Sequence, residues 1–206
     1  MKNDIVQKLT YQLVSKLFVL PIYKFVFKGH LIGRENIPQK DSFIMVSNHG
    51  SLLDPPFLGH ALGRNISFMA KAELFKIPFL GFVIKACGAY PVKRGIADKN
   101  TIKIACEKLS NNNCIGIFID GTRQKNGRVN KPKQGAALLA FKNQKLLLPV
   151  AIVNSHKLIR FKFCIPFVSK IVIKVGKPLL PPKTSSREDL NSITMHLQKN
   201  INNLIG

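Results

Sequence analysis

His49 and Asp54 stand five residues apart in Ser47-Asn48-His49-Gly50-Ser51-Leu52-Leu53-Asp54-Pro55-Pro56. Imidazole is the side chain suited to taking a proton near neutral pH, its ordinary pKa being about 6.5. A nearby carboxylate can fix the tautomer of the ring and stabilise the imidazolium as it forms. On a regular helix, neighbours on one face are three or four apart, so this pair meets only where the chain bends as a strand gives way to a helix. Gly50 and Pro55-Pro56 are the bend points. A loop histidine followed by a helix-capping aspartate is the plainer reading of the same residues. Ser51 and Cys87 are possible nucleophiles, but neither has an evident separate base, and Ser51 suits a cap or a packing hydroxyl better.

A second group of chemical residues is Gly121-Thr122-Arg123, just beyond the apolar run Ile115-Gly116-Ile117-Phe118-Ile119. Glycine lets a backbone approach a phosphate, and arginine offers it a fork of donors. The loop that follows carries Lys125, Arg128, Lys131 and Lys133, a basic run that could meet phosphates, an acidic protein surface or anionic lipid, or simply be solvated. His30, His60, His156 and His196 have no acid at suggestive spacing. Cys87, Cys106, Cys114 and Cys164 lack the spacing of a metal site, so buried free thiols and a reducing compartment are expected, with no metal.

These residues need strands and helices to hold them. Phe43 to Val46 reads as a short buried strand and Leu52 to Leu62 as a helix. Asn65 to Ala70 is a strand, Ile77 to Lys85 a short helix, and Ala89 to Val92 a strand. Asp98 to Ser110 is a helix capped by Asp98, Ile115 to Ile119 a strand, Gly135 to Asn143 a helix and Leu146 to Val153 a strand. Arg160 to Ile165 and Lys170 to Val175 read as a late strand pair separated by Pro166, and Ser186 to Leu204 closes the chain as a helix. The alternation predicts an α/β fold, a mixed sheet flanked by helices. The apolar stretch Leu74 to Val83 could line an apolar tunnel, dock on a bilayer or form a core helix.

The 206 residues suit one domain with a single sizeable core. Their charge is lopsided: 32 lysines and arginines against 10 acids give +22, a field that attracts polyanions. Nucleic acid is not the expected partner, because the chain shows no recognition element, zinc site or aromatic stacking signature. An anionic membrane surface is. Residues 1–28 form an amphipathic helical segment ahead of an α/β domain over 29–206. Lysines at 8, 16 and 24 interrupt its apolar run, leaving at most seven residues between them, where a span needs about 20. Two short helices lying in the interface, broken at Pro21, fit that pattern; a core helix pair and a single tilted span are the rivals. The N-terminus lacks a secretory layout, so the protein is expected on the cytoplasmic face, peripheral or monotopic.

Four blocks in order carry a resemblance: Asn48-His49 to Asp54; Lys71-Ala72-Glu73-Leu74-Phe75 to Gly81 with Gly88-Ala89-Tyr90-Pro91-Val92-Lys93-Arg94; Ile117-Phe118-Ile119-Asp120-Gly121-Thr122-Arg123; and Leu147-Leu148-Pro149-Val150-Ala151-Ile152. Together they resemble the glycerolipid acyltransferase family typified by lysophosphatidate acyltransferases, over roughly residues 30 to 180. The third block departs from the family's Phe-Pro-Glu-Gly-Thr-Arg pattern at Ile119 and Asp120. The resemblance implies acyl transfer from acyl-CoA or acyl carrier protein, with no further cofactor, to the free hydroxyl of lysophosphatidate. His49 is then the base and Asp54 its support. Gly121, Thr122 and Arg123 bind the acceptor's phosphate, with Arg94 as second ligand and Lys71 behind it. Asp120 fixes Arg123 or touches a glycerol hydroxyl. Backbone amides at the start of the helix after His49 are the expected oxyanion donors. Another lysophospholipid or glycerol 3-phosphate is the alternative acceptor, and a non-catalytic basic membrane-binding protein the alternative of a different class.

Overall fold

The computed structural model describes residues 9–78, 80–86, 88–92, 99–158, 161–162, 165–166 and 169–206. A seven-stranded sheet runs through the domain in the order β1-β9-β6-β2-β5-β3-β4. Its members are β1 (His30–Ile32), β2 (Ile44–Ser47), β3 (Ile66–Lys71), β4 (Tyr90–Val92), β5 (Cys114–Phe118), β6 (Leu147–Val153) and β9 (Val172–Val175). β6, β2, β5, β3 and β4 are mutually parallel; β9 runs antiparallel to β6 and parallel to β1. The sheet is therefore mixed and flanked by helices, as the alternation predicts.

Every residue of β2 is fully buried, which explains why its sequence is a continuous apolar run rather than an alternating one. Phe43 and Met45 point into one core with Leu148, Val150 and Ile152, beneath α1 (residues 9–26) and α2 (Asp54–Leu62). Ile44 and Val46 point into the other with Ile115, Leu147 and Ala151. That second core is roofed by α4 (Lys99–Ser110), α5 (Gly135–Asn143) and α6 (Arg187–Ile205). The α6 start is set by Ser186, whose side chain accepts from the Asp189 amide at 3.1 Å. The capping expected of Asp98 lies outside the described residues.

Two expectations are corrected. Residues 9–26 wind as one continuous helix rather than two broken at Pro21. Wide π-type turns at Ser15–Val19 and Ile22–Val26 close through the amides of Leu20 and Phe27 to carbonyls five residues back, and the helix passes the proline between them. The late strand pair is also rearranged. β7 (Phe161–Lys162) and β8 (Ile165–Pro166) form their own small hairpin that includes Pro166, while β9 joins the main sheet between β6 and β1.

α1 and the residue that ends it pack inward through Tyr23 and Phe27, whose rings sit 5.4 and 5.5 Å from that of Phe57 on α2. Its other face presents Leu9, Leu13, Leu17, Phe18, Ile22, Phe25 and Val26 to solvent. No helix among the described residues is long and apolar enough to cross a membrane. Further on, α3 (Leu80–Ala86) follows a 3₁₀ turn at Ala72–Lys76. Phe82 is 74% exposed, and Ile77 and Leu80 are also exposed, so these side chains do not form the core helix that was one reading of the stretch.

Candidate active site

In parallel strands the carboxyl ends line up along one edge, and the loops leaving that edge meet in a crevice. Ser47 of β2 pairs with Phe118 of β5 and with Val150 of β6. Lys71, at the end of β3, pairs with Val92 of β4. The loops carrying His49, Gly121-Thr122-Arg123 and Lys71 therefore leave the same edge. Arg94 follows Val92 by two residues and lies outside the described residues.

The first loop turns sharply at Gly50 and brings His49 against Asp54. Imidazole Nδ1 lies 2.8 Å from Oδ2 of Asp54, a carboxylate fully buried at the head of α2. The same oxygen accepts the amides of Gly50 at 2.7 Å and Ser51 at 2.9 Å. These three donors converge on one oxygen of the carboxylate. Since an ionised carboxylate only accepts, Nδ1 carries the proton, and Nε2 of neutral His49 is left as the basic nitrogen. The ring is further pinned by Phe118, stacked with its centroid 3.9 Å away and its plane inclined by 15°. Ser51 is buried and its hydroxyl accepts the Leu53 amide at 3.2 Å, which makes it part of the turn.

Most of the amides expected as oxyanion donors at the head of α2 are engaged within the turn itself. The amides of Gly50 and Ser51 are bonded to Asp54, that of Leu53 to the Ser51 hydroxyl and that of Asp54 to the Ser51 carbonyl. Positions 55 and 56 are prolines and have no N–H to give. The Phe57 amide is bonded to the Leu53 carbonyl.

The second loop is tied to the first. Gln124 donates its amide to the His49 carbonyl at 2.8 Å. Asn48, wholly enclosed, donates to the carbonyls of Gly127 at 2.7 Å and Ile152 at 2.9 Å, and accepts the Ile152 amide at 2.8 Å. One amide side chain thus joins β2, β6 and the basic loop. Asp120 closes that loop at its far end, its two oxygens accepting the amides of Lys131 at 2.9 Å and Asn130 at 3.1 Å. Its observed part is loop closure rather than the expected contact with Arg123. Thr122 and Arg123 are exposed at the turn, and Gly121 adopts φ +68°, a left-handed conformation that favours glycine. Lys71 is likewise exposed at the edge.

Three residues of this arrangement were not singled out by spacing. Asn48 reveals its role only through partners 79 and 104 positions away. Phe118 reads as a core residue until the ladder places it beside His49. Lys133, one of several loop cations in the sequence, lies across Gly121, with Nζ 3.2 Å from where a β-carbon there would be. Cys106 and Cys114 are free thiols, and burial pushes the Cys114 pKa up; Cys87 and Cys164 fall outside the described residues.

A buried histidine–carboxylate pair and a cationic loop thus stand together at the carboxyl edge of a mixed sheet. Residues 29–153 match the family model described as Acyltransferase. The chain is 30% identical over 178 residues to the 1-acyl-sn-glycerol-3-phosphate acyltransferase of Bacillus subtilis, covering 83% of this chain and 85% of that one. It is 32% identical over 152 residues to the chloroplastic 1-acyl-sn-glycerol-3-phosphate acyltransferase of Arabidopsis thaliana, 72% of this chain but only 42% of that protein's length. The match spans 65% of the 1-acyl-sn-glycerol-3-phosphate acyltransferase of Borreliella burgdorferi, so the chain covers less than two thirds of the length of these last two relatives. The crystal structure of the 1-acyl-sn-glycerophosphate acyltransferase PlsC from Thermotoga maritima superposes with a TM-score of 0.77 at 30% identity, over 94% of this chain and 78% of that one. The chain belongs to the acyltransferase family.

Proposed function

We propose that this protein transfers a fatty acyl group from a thioester, acyl-CoA or acyl carrier protein, to the free hydroxyl of lysophosphatidate. The observation that carries the reading is the His49–Asp54 pair, joined through the Gln124 amide to the loop bearing Gly121, Thr122 and Arg123. The relatives' names support the acceptor. Nε2 of His49 takes the proton from the acceptor hydroxyl as its oxygen attacks the thioester carbonyl. The tetrahedral intermediate collapses, the carbon–sulfur bond breaks, and the leaving thiolate takes that proton from the imidazolium. Asp54 fixes the tautomer and offsets the transient positive charge. General-base help of this kind is typically worth about 10² to 10⁴ in rate. Arg123 binds the phosphate, with Arg94 and Lys71 as further cations. Asp120 serves the site by shaping the loop, so its departure from glutamate bears on loop closure more than on the choice of acceptor.

The enzyme works at a membrane surface, cytoplasmic and peripheral. The apolar stripe of α1 supplies the insertion and the net charge of +22 the attraction to anionic lipid, about 1 kcal/mol per basic residue near the surface. The test is a panel of acceptors with labelled acyl-CoA and acyl carrier protein, run with the wild type and with His49→Ala. Lysophosphatidate should be the preferred acceptor, and His49→Ala should lose turnover while still floating with liposomes. Preference for a lysolipid bearing a headgroup would overturn the acceptor, and unchanged turnover in His49→Ala would overturn the mechanism.

A further inference from the structure

We infer that Lys133 is a further cation of the acceptor's phosphate site, and that it selects a phosphate monoester over a diester. The inference rests on the proposed phosphate-bearing acceptor and adds a determinant of its class. The Lys133 amide donates to the Ile119 carbonyl at 2.9 Å, which pins the residue to the end of β5. From there its side chain doubles back across Gly121. A β-carbon at Gly121 would meet Nζ at 3.2 Å, Cε at 3.5 Å and Cδ at 3.6 Å. Glycine is favoured at 121 by its left-handed backbone, and the lysine stem packs closely over it. The ammonium consequently sits at the turn whose next two residues are Thr122 and Arg123.

The acid nearest in sequence does not neutralise it. Asp120 spends its oxygens on the amides of Asn130 and Lys131. Among the described residues Lys133 forms no ion pair. The loop that carries it is held from several sides, by Asn48 on Gly127, by the Gln124 amide on His49 and by the Asn130 side chain on the Gln124 oxygen at 3.0 Å. An exposed ammonium lying across Gly121, at the turn that carries Arg123, offers a two-charge receptor. A phosphate monoester carries close to two negative charges at neutral pH, because its second pKa is about 6, whereas a diester carries one. Arginine grips one oxygen edge by its fork, and lysine adds a point charge that rewards the second negative charge.

Two measurements test this. In the first, acetic anhydride labels exposed lysines with and without glycerol 3-phosphate or dimethyl phosphate, read by mass spectrometry with Lys125 as the internal reference. Glycerol 3-phosphate should slow acetylation of Lys133 several-fold relative to Lys125, and dimethyl phosphate should not; equal protection by both, or by neither, overturns the inference. In the second, Lys133→Met should lose about tenfold more in kcat/KM with lysophosphatidate than with lysophosphatidylglycerol, the scale of one charge-assisted contact, and Lys133→Arg should recover most of it. Equal losses on both acceptors, or none, overturn it. If the wild type transfers nothing to lysophosphatidate, the proposed acceptor fails while the labelling experiment still judges Lys133.

Discussion

The imidazole of His49 lies nearly flat on the ring of Phe118, with 3.9 Å between centroids. Phe118 is placed there by the ladder, since it pairs with Ser47, two residues before the histidine. Stacking clamps the ring from its face while Asp54 clamps it from its edge, leaving Nε2 as the free corner. Phe118→Leu keeps an apolar side chain of similar bulk but removes the flat platform. An aromatic pair is worth about 0.5–1.5 kcal/mol, so kcat should fall by up to about tenfold with little change in KM. Steady-state kinetics with lysophosphatidate decide it, and an unchanged kcat would show that Asp54 alone orients the ring.

Asn48→Ala should be among the most destabilising changes near the site. It strips the carbonyls of Gly127 and Ile152 of a donor and the Ile152 amide of its acceptor, all in the interior. Unsatisfied buried groups cost about 1–3 kcal/mol each, so a loss of about 3 kcal/mol and a Tm drop of roughly 6–12 °C are expected. Asn48→Asp should be worse, because it sets a carboxylate oxygen against two carbonyls. A thermal melt of both variants checks the order; an aspartate variant as stable as wild type would mean that the clamp is not electrostatic.

The exposed face of α1 should govern adhesion to lipid without governing the fold. Leu17 and Phe25 are 59% and 79% exposed, so Leu17→Glu combined with Phe25→Glu removes little native packing. Burying each of those side chains in lipid is worth about 1.5–3 kcal/mol, so partitioning onto anionic vesicles should weaken at least about 100-fold. The melting temperature should stay within a few degrees. Flotation with vesicles reads the first quantity and calorimetry the second; undiminished flotation would assign adhesion to another surface.

His60 makes the seat of α1 sensitive to acid. Its Nδ1 lies 2.7 Å from the Ser15 hydroxyl, and its pKa is held below the ordinary histidine value, first by burial and then by the charge of Lys24. As pH falls through about 6.5 the unfolded chain takes up a proton that the folded one refuses. Stability is therefore full above that pH, drops as pH descends through it, and levels off once the folded pKa is passed. Because His60 is partly solvated, the expected loss is only about a degree or two in Tm. His60→Gln, which keeps a partner for Ser15, should flatten the curve between pH 7 and 5; an equal slope in the variant would trace it to other groups.

The central strands were legible because burial on both faces leaves only apolar residues there, as in Ile44-Met45-Val46. Their boundaries shifted by a residue or so, and α2 begins at Asp54 rather than Leu52 because the Asp54 carboxylate curls back onto Gly50 and Ser51. β1 was not legible: three residues at the sheet edge, alternately exposed and half-buried, carry no pattern beyond noise. The continuity of α1 was hidden because proline argues for a break unless the turns around it widen. The His49–Asp54 contact was readable from local spacing. The Asn48 clamp, the Phe118 platform and the placement of Lys133 were not, since each depends on partners brought together by the parallel ladder or by a long loop folding back.

Ser47 and Phe118 share a rung, and neighbouring strands stand about 4.8 Å apart wherever a sheet is built. The two loops that leave those strands start from jaws whose opening is set by main-chain hydrogen bonding, and rotamers cannot widen it. Point changes in either loop can alter how firmly a molecule is held, but resizing the opening takes a shifted register or an inserted residue. Relatives that handle acceptors of another length should therefore differ from this chain by insertions or deletions after β2 or β5, more than by substitutions within those loops.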